Sequence, residues 1–153
     1  MKVIHLISGG DSGGAKTHVL SLLQNLNKTI TAQLVCFRDG PFAEEARTMG
    51  IPTMICGGNN IPHLRREDYI REGGYQLIHC HGSRANMIGA LLRKPTGLPV
   101  VSTVHSDYKL DYMGRPFARL TFGAINAWAL RHLDYRIGVS DAMVDLLIDR
   151  GFP

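Results

Sequence analysis

Short continuous apolar runs alternate with helix-period segments along the whole chain. Lys2 to Ile7 predicts a first strand. Ala15 to Leu26 predicts a helix with Ala15, Val19, Leu22 or Leu23, and Leu26 on one face. Gln33 to Phe37 predicts a second strand. A helix from Phe42 to Met49 follows, entered at Pro41 and stopped at Gly50. Pro52 to Cys56, Gln76 to Cys80, Pro99 to Val104 and Tyr135 to Val139 predict the remaining strands. Between them lie a short charged helix, His63 to Arg71, then helices over Arg84 to Arg93, Arg115 to His132 and Asp141 to Asp149. The longest, Arg115 to His132, presents Phe117, Leu120, Ala124, Trp128 and Leu130, or Arg131 by its stem, as its apolar face. Strands one and four to six are unbroken apolar runs, the pattern of strands buried on both faces. Repeated strand-then-helix units predict an α/β fold: a Rossmann-like open parallel sheet with helices on both faces.

Polar residues fall repeatedly just after the strands. Strand one leads into Ser8 to Thr17, strand four into His81-Gly82-Ser83-Arg84, strand five into His105-Ser106-Asp107 and strand six into Ser140-Asp141. Open α/β sheets bind ligands outside the carboxyl ends of their strands, so these loops predict one cleft. His105 closes an apolar strand and opens a polar loop. A neutral imidazole there meets a sugar hydroxyl, and a charged one meets phosphate. His79 and His81 share a strand face, which supplies two metal ligands at most, with no zinc-like spacing to others. No metal site is expected, and His79 reads as a hydrogen-bonded sheet histidine.

The loop Ser8-Gly9-Gly10-Asp11-Ser12-Gly13-Gly14-Ala15-Lys16-Thr17 joins a strand to a helix start. Glycines let the backbone approach a ligand, and free N–H groups at a helix start point at an anion. Asp11 occupies the middle glycine of a dinucleotide fingerprint. Ala15 stands where a P-loop needs its second glycine, and a β-carbon there obstructs the phosphate cradle. A degenerate P-loop binder remains one alternative. A non-catalytic lipid- or glycan-binding module is another, because Tyr108 to Arg119 mixes aromatic, apolar and basic residues.

Composition changes this picture little. With 153 residues, 44% of them hydrophobic and 20% charged, the chain is sized for one domain with its own core. The net charge of +4 and pI of about 9.2 suit an anionic partner without choosing one. Cys36, Cys56 and Cys80 lie in strand-like runs and read as buried reduced thiols. No apolar run reaches the ~20 residues that span a bilayer, and the N-terminus lacks a signal-peptide pattern, so a cytoplasmic location is expected. The chain closes at Arg150-Gly151-Phe152-Pro153, after a helix and with no further strand. A hinge to a second domain is expected there.

One ordered set of motifs carries a resemblance. It runs Ser12-Gly13-Gly14-Ala15-Lys16-Thr17-His18-Val19, Gly50-Ile51-Pro52, His79-Cys80-His81-Gly82, Thr103-Val104-His105-Ser106-Asp107 and Val139-Ser140. Over essentially its whole length the chain resembles the N-terminal half of family 4 glycosyltransferases, which have the two-domain GT-B fold. The resemblance implies an acceptor-side domain over residues 1–153, with a donor-binding C-terminal domain absent from this sequence. It implies hexosyl transfer from a sugar nucleotide with retention of configuration, without a metal or other cofactor. The acceptor is then a glycan, lipid or small molecule, as in cell-surface polysaccharide or glycolipid synthesis. Gly13 and Gly14 match the loop that approaches the donor phosphates. His105 matches a histidine that commonly contacts the donor sugar near the reaction centre, the catalytic position. His81 and Gly82 match a loop nearer the acceptor, where Arg84, Asp107 and Ser140 are also expected. Lys16 stands where many members have glutamate, and Ser106 separates His105 from its acidic neighbour Asp107. The expected partners are the donor, a glycan or lipid-linked acceptor, the chain's own C-terminal domain and the inner face of a membrane, touched peripherally. Nucleic acid is not among them. An isolated 153-residue chain is expected to be inactive.

Overall fold

A computed structural model describes residues 1–11, 13–58, 67–107 and 114–153. The parts of the predicted loops and charged helix at Ser12, 59–66 and 108–113 lie outside the described residues. In chain order the elements are β1 (Lys2–Ile7), α1 (Gly13–Leu26), β2 (Thr31–Cys36), α2 (Pro41–Thr48), β3 (Thr53–Ile55), α3 (Glu67–Glu72), β4 (Leu77–His81), α4 (Ser83–Thr96) and β5 (Val100–Val104). Then come α5 (Pro116–Ala118), a wide π-type segment (Arg119–Gly123), α6 (Ala124–Arg131), β6 (Tyr135–Gly138) and α7 (Asp141–Asp149).

The six described strands form one parallel sheet in the order β3-β2-β1-β4-β5-β6. The chain builds outward from β1 on one side and from β4 on the other. The switch point therefore lies between β1 and β4, where a crevice opens at the carboxyl ends. The loops after β1 and β4 flank it, and the loop after β5 stands next in line.

Register decides what each face carries. Ile4 lies opposite Ile78, and Leu6 opposite Cys80. These four pack with Ala85, Ile88 and Leu92 of α4 and with Leu130, Leu133 and Leu147. Ile7 on the other face packs with Leu34, Cys36, Val19 and Leu23 of α1, and Phe42 and Ala46 of α2. Gly89 shows how closely α4 sits on the sheet: a Cβ there would fall 2.3 Å from Cys80 Sγ. All three cysteines are buried and form no disulfide, and burial pushes the Cys36 thiol up to about 12.

The expected long helix over Arg115 to His132 is not a single α-helix. The wide segment at Arg119–Gly123 divides it. Its expected apolar face also faces outward: Phe117 is 85% exposed, Leu120 76% and Trp128 43%. Of that set only Leu130 is buried, together with Asn126 and Ala129. An α-helix turns about 100° per residue and a π turn less, so the wide turn shifts the phase of everything after it. A hydrogen bond from Asn86 Nδ2 to Asn126 Oδ1, 3.0 Å long, then orients α6 against α4.

Candidate active site

Among the described residues, two recesses open on the carboxyl edge of the sheet. A cavity of about 220 Å³ is bounded by Asp11, His81, Asn86, His105, Ser106 and Asn126, among others. Beside it a shallower groove of about 460 Å³ is bounded by Gly9, Gly10, Gly13, Lys16, Arg38 and Glu45. Asp11 belongs to both, and its carboxylate accepts from the Gly9 N–H at 3.3 Å. Lys16 forms an ion pair with Glu45 of α2.

The glycine loop is shaped for close approach. Gly9 has a φ of +88°, and a β-carbon there would strike the Arg38 carbonyl oxygen at 2.5 Å. Gly13 and Gly14 begin α1 and are exposed. A Cβ on either would meet nothing within 4 Å. Free N–H groups at a helix start are the donors an anion there requires.

The histidines form a connected column. His105 is half-buried, 5.1 Å from the His18 ring and 5.9 Å from the His81 ring. Its Nε2 is buried without a partner among the described residues. Burial lowers its pKa, His18 lowers it further, and Asp11 opposes the shift. The ring is therefore neutral at pH 7 and suited to hydroxyl groups rather than to phosphate charge. His81, the last residue of β4, is 2% exposed, and burial with its histidine neighbours holds it well below the ordinary value. His79 behaves as its sequence suggested: its Nε2 meets Thr103 Oγ1 at 2.7 Å.

His5 joins this group unannounced. Parallel register sets it opposite His79, and its Nδ1 lies 3.1 Å from His81 Nε2. One ring nitrogen from each of His5, His79 and His81 falls within 4.8 Å of the others, so a third potential ligand does exist. The facing nitrogens of His5 and His81 are spent on each other. An ion placed in line between them would need about 4 Å, at the usual zinc–nitrogen length.

The other expected site residues have structural occupations. Gly82 lines the cavity and adopts a φ of +89° as the chain leaves β4 for α4. Arg84 is exposed, lies outside both recesses and sits 5.5 Å over the Phe37 ring. Asp107 is ion-paired with Arg150 at the end of α7 through both carboxylate oxygens. Ser140 caps α7, its hydroxyl accepting from Met143 N–H at 3.3 Å. His81, Gly82, His105 and Asp11 therefore come together at one cavity, with Gly13 in the adjoining groove. Two wall residues, Asn86 and Asn126, had no sequence signal, being separated by 40 positions and joined by a hydrogen bond that only the tertiary fold creates. Ser102 donates to Asn86 Oδ1 at 2.6 Å and ties the pair to β5.

Comparison with known proteins bears on the fold. HepE (Alr3699) from Anabaena, in complex with UDP, superposes with a TM-score of 0.79 at 18% identity, over 100% of this chain and 42% of that one. The lipopolysaccharide outer core galactosyltransferase WaaB, in its apo form, gives 0.65 at 16% identity, over 100% and 43%. MnaA of S. aureus with UDP gives 0.65 at 16%, over 99% and 41%. The chain thus spans well under half the length of these structures, and at such identities the likeness concerns the fold. Among curated proteins there is no significant match. The Glycosyltransferase Family 4 profile matches residues 12–153, nearly the whole chain. The chain belongs to that family.

Proposed function

We propose that this domain forms the acceptor-side half of a retaining glycosyltransferase that moves a hexose from a sugar nucleotide to a glycan or lipid-linked acceptor. The observation that carries this is the pairing of two recesses at the switch point, one walled in part by His81, His105, Asn86 and Asn126, the other a glycine-lined groove at a helix start. Family membership supports it, as does HepE, whose structures hold UDP and UDP-glucose.

In this scheme the N–H groups at Gly13 and Gly14 face the donor phosphates. Oriented donors of this kind offset the charge that grows on the departing diphosphate, without reorganising during the reaction. His105 and His81, neutral at pH 7, hydrogen-bond sugar hydroxyls in the adjoining cavity. Further cations and the rest of the donor site belong to a C-terminal domain beyond these residues. No metal or other cofactor takes part.

Peripheral docking at a membrane is part of the proposal. Exposed Phe117, Leu120, Phe122 and Trp128 lie on one helical stretch that Arg115 precedes and Arg131 ends. Cell-surface polysaccharide or glycolipid synthesis in the cytoplasm fits that placement. No helix among the described residues is long and apolar enough to cross a membrane.

The test is transfer by the full-length enzyme from labelled sugar nucleotides, with the product's anomeric configuration read by NMR. Retention of configuration, together with no turnover by the 153-residue chain alone, supports the proposal. An inverted product, or full turnover by the short chain, contradicts it. Sedimentation with vesicles containing anionic lipid tests docking; absence of binding at low salt removes that part.

A further inference from the structure

Two buried imidazoles in this fold are joined edge to edge. His5 and His81 are 0% and 2% exposed. Their planes differ by 11°, their centroids lie 5.4 Å apart, and Nδ1 of His5 is 3.1 Å from Nε2 of His81. These values describe nearly coplanar rings with facing nitrogens in line. One N–H donates to one lone pair. His79 covers the pair, 4.7 Å from His5 and 4.4 Å from His81, with its own Nε2 engaged by Thr103.

The outer nitrogens, His5 Nε2 and His81 Nδ1, are buried without partners among the described residues. They differ in position. His81 lines the cavity, whereas His5 does not. Each ring carries one proton when neutral, so the direction of the shared bond fixes both outer atoms. Either direction leaves one buried N–H: on His5 Nε2, away from the cavity, if His81 donated, or on Nδ1 of His81, a residue that lines the cavity where a bound oxygen can receive it, if His5 donates. If His5 donates, its Nε2 is a bare lone pair. Orphaned buried N–H groups are the rarer and costlier case. The lone pair is therefore left at the sealed end, and the proton of His81 is driven onto Nδ1.

We propose that His5 is a positioning residue that fixes His81 in the Nδ1–H tautomer and so presents an N–H donor to the cavity. The occupant implied is an uncharged hydroxylated ring whose oxygen accepts this hydrogen bond. That last assignment rests on the function proposed above; the tautomer does not. Burial keeps both rings neutral at pH 7, so a single tautomer is defined there.

Long-range 15N–1H correlation spectra of the 15N-labelled 153-residue chain at neutral pH test it. His5 and His81 should both show the Nδ1–H pattern. In His5→Asn the amide nitrogen takes the place of Nδ1 as donor, and His81 should keep its pattern. In His5→Phe the donor is gone, and His81 should lose the single-tautomer pattern. A wild-type His81 carrying its proton on Nε2 overturns the proposal before any variant is made, as does an unaltered His81 pattern in folded His5→Phe. In the full-length enzyme, His5→Phe should raise the acceptor KM about 3- to 10-fold, the worth of one neutral hydrogen bond, with partial recovery in His5→Asn. If the tautomers are as expected and KM does not move, the positioning role stands and the sugar assignment of the cavity fails.

Discussion

Lowering the pH from 7 to 5 should remove about 4 kcal/mol of folding stability. The perturbation acts on the buried histidines. Burial holds His5 down to about 3 and His79 to about 4, whereas an imidazole in the unfolded chain titrates near 6.5. Between these values the unfolded chain binds protons that the native chain refuses. Stability is thus fully present above pH ~6.5 and is lost as pH falls toward the folded values. Integrating from pH 7 to 5 gives about 2 kcal/mol for each of the two rings. His81, lowered by burial and by its neighbours, acts in the same direction. Asp134, held low chiefly by the hydrogen bond from Arg93, titrates beneath this window. A domain with about 5–15 kcal/mol of stability in total would then unfold readily a little below pH 5. Urea titrations at the two pH values, followed by circular dichroism, measure the loss directly. His5→Phe should lose about 2 kcal/mol less over the same interval. A wild-type change under about 1 kcal/mol, or one of opposite sign, would refute the reasoning, since two rings must shift it by more.

Gly89→Ala should destabilise the domain by about 1–2 kcal/mol, because overpacking against Cys80 Sγ exceeds the gain in helix propensity; adding Cys80→Ala should recover part of the loss in thermal melts. Asn126→Leu should cost about 1–3 kcal/mol in urea titrations, because it leaves Asn86 Nδ2 buried and unpaired. EDTA should leave sugar transfer by the full-length enzyme unchanged; loss of turnover restored by added metal would oppose the cofactor-free mechanism.

The sheet was legible because its strands are apolar runs punctuated by glycine and proline, and burial on both faces imposes that pattern. The carboxyl-edge loops were legible for the same reason, since polar residues had nowhere else to go. His5 was not. Within Val3 to Ile7 it reads as one polar interruption, and only the register of β1 on β4 sets it opposite His79. The helix from Arg115 misled differently: its periodicity is real, but a wide turn and the Asn86–Asn126 bond turned the bulky side chains outward. Asp107 and Ser140 looked like cleft residues by position, yet an ion pair and a helix cap engage them. Position along a strand edge identifies candidates. Which of them face the cavity depends on contacts between distant segments.

The most direct test of the cavity as a sugar site is steady-state transfer by the full-length enzyme carrying His105→Ala. That ring borders the cavity and has a buried nitrogen with no partner among the described residues. Turnover should fall about 100-fold or more, the usual loss on removing a preorganised group that acts on the transition state. Turnover within about twofold of wild type, with the variant folded, would contradict the placement of the reaction beside His105.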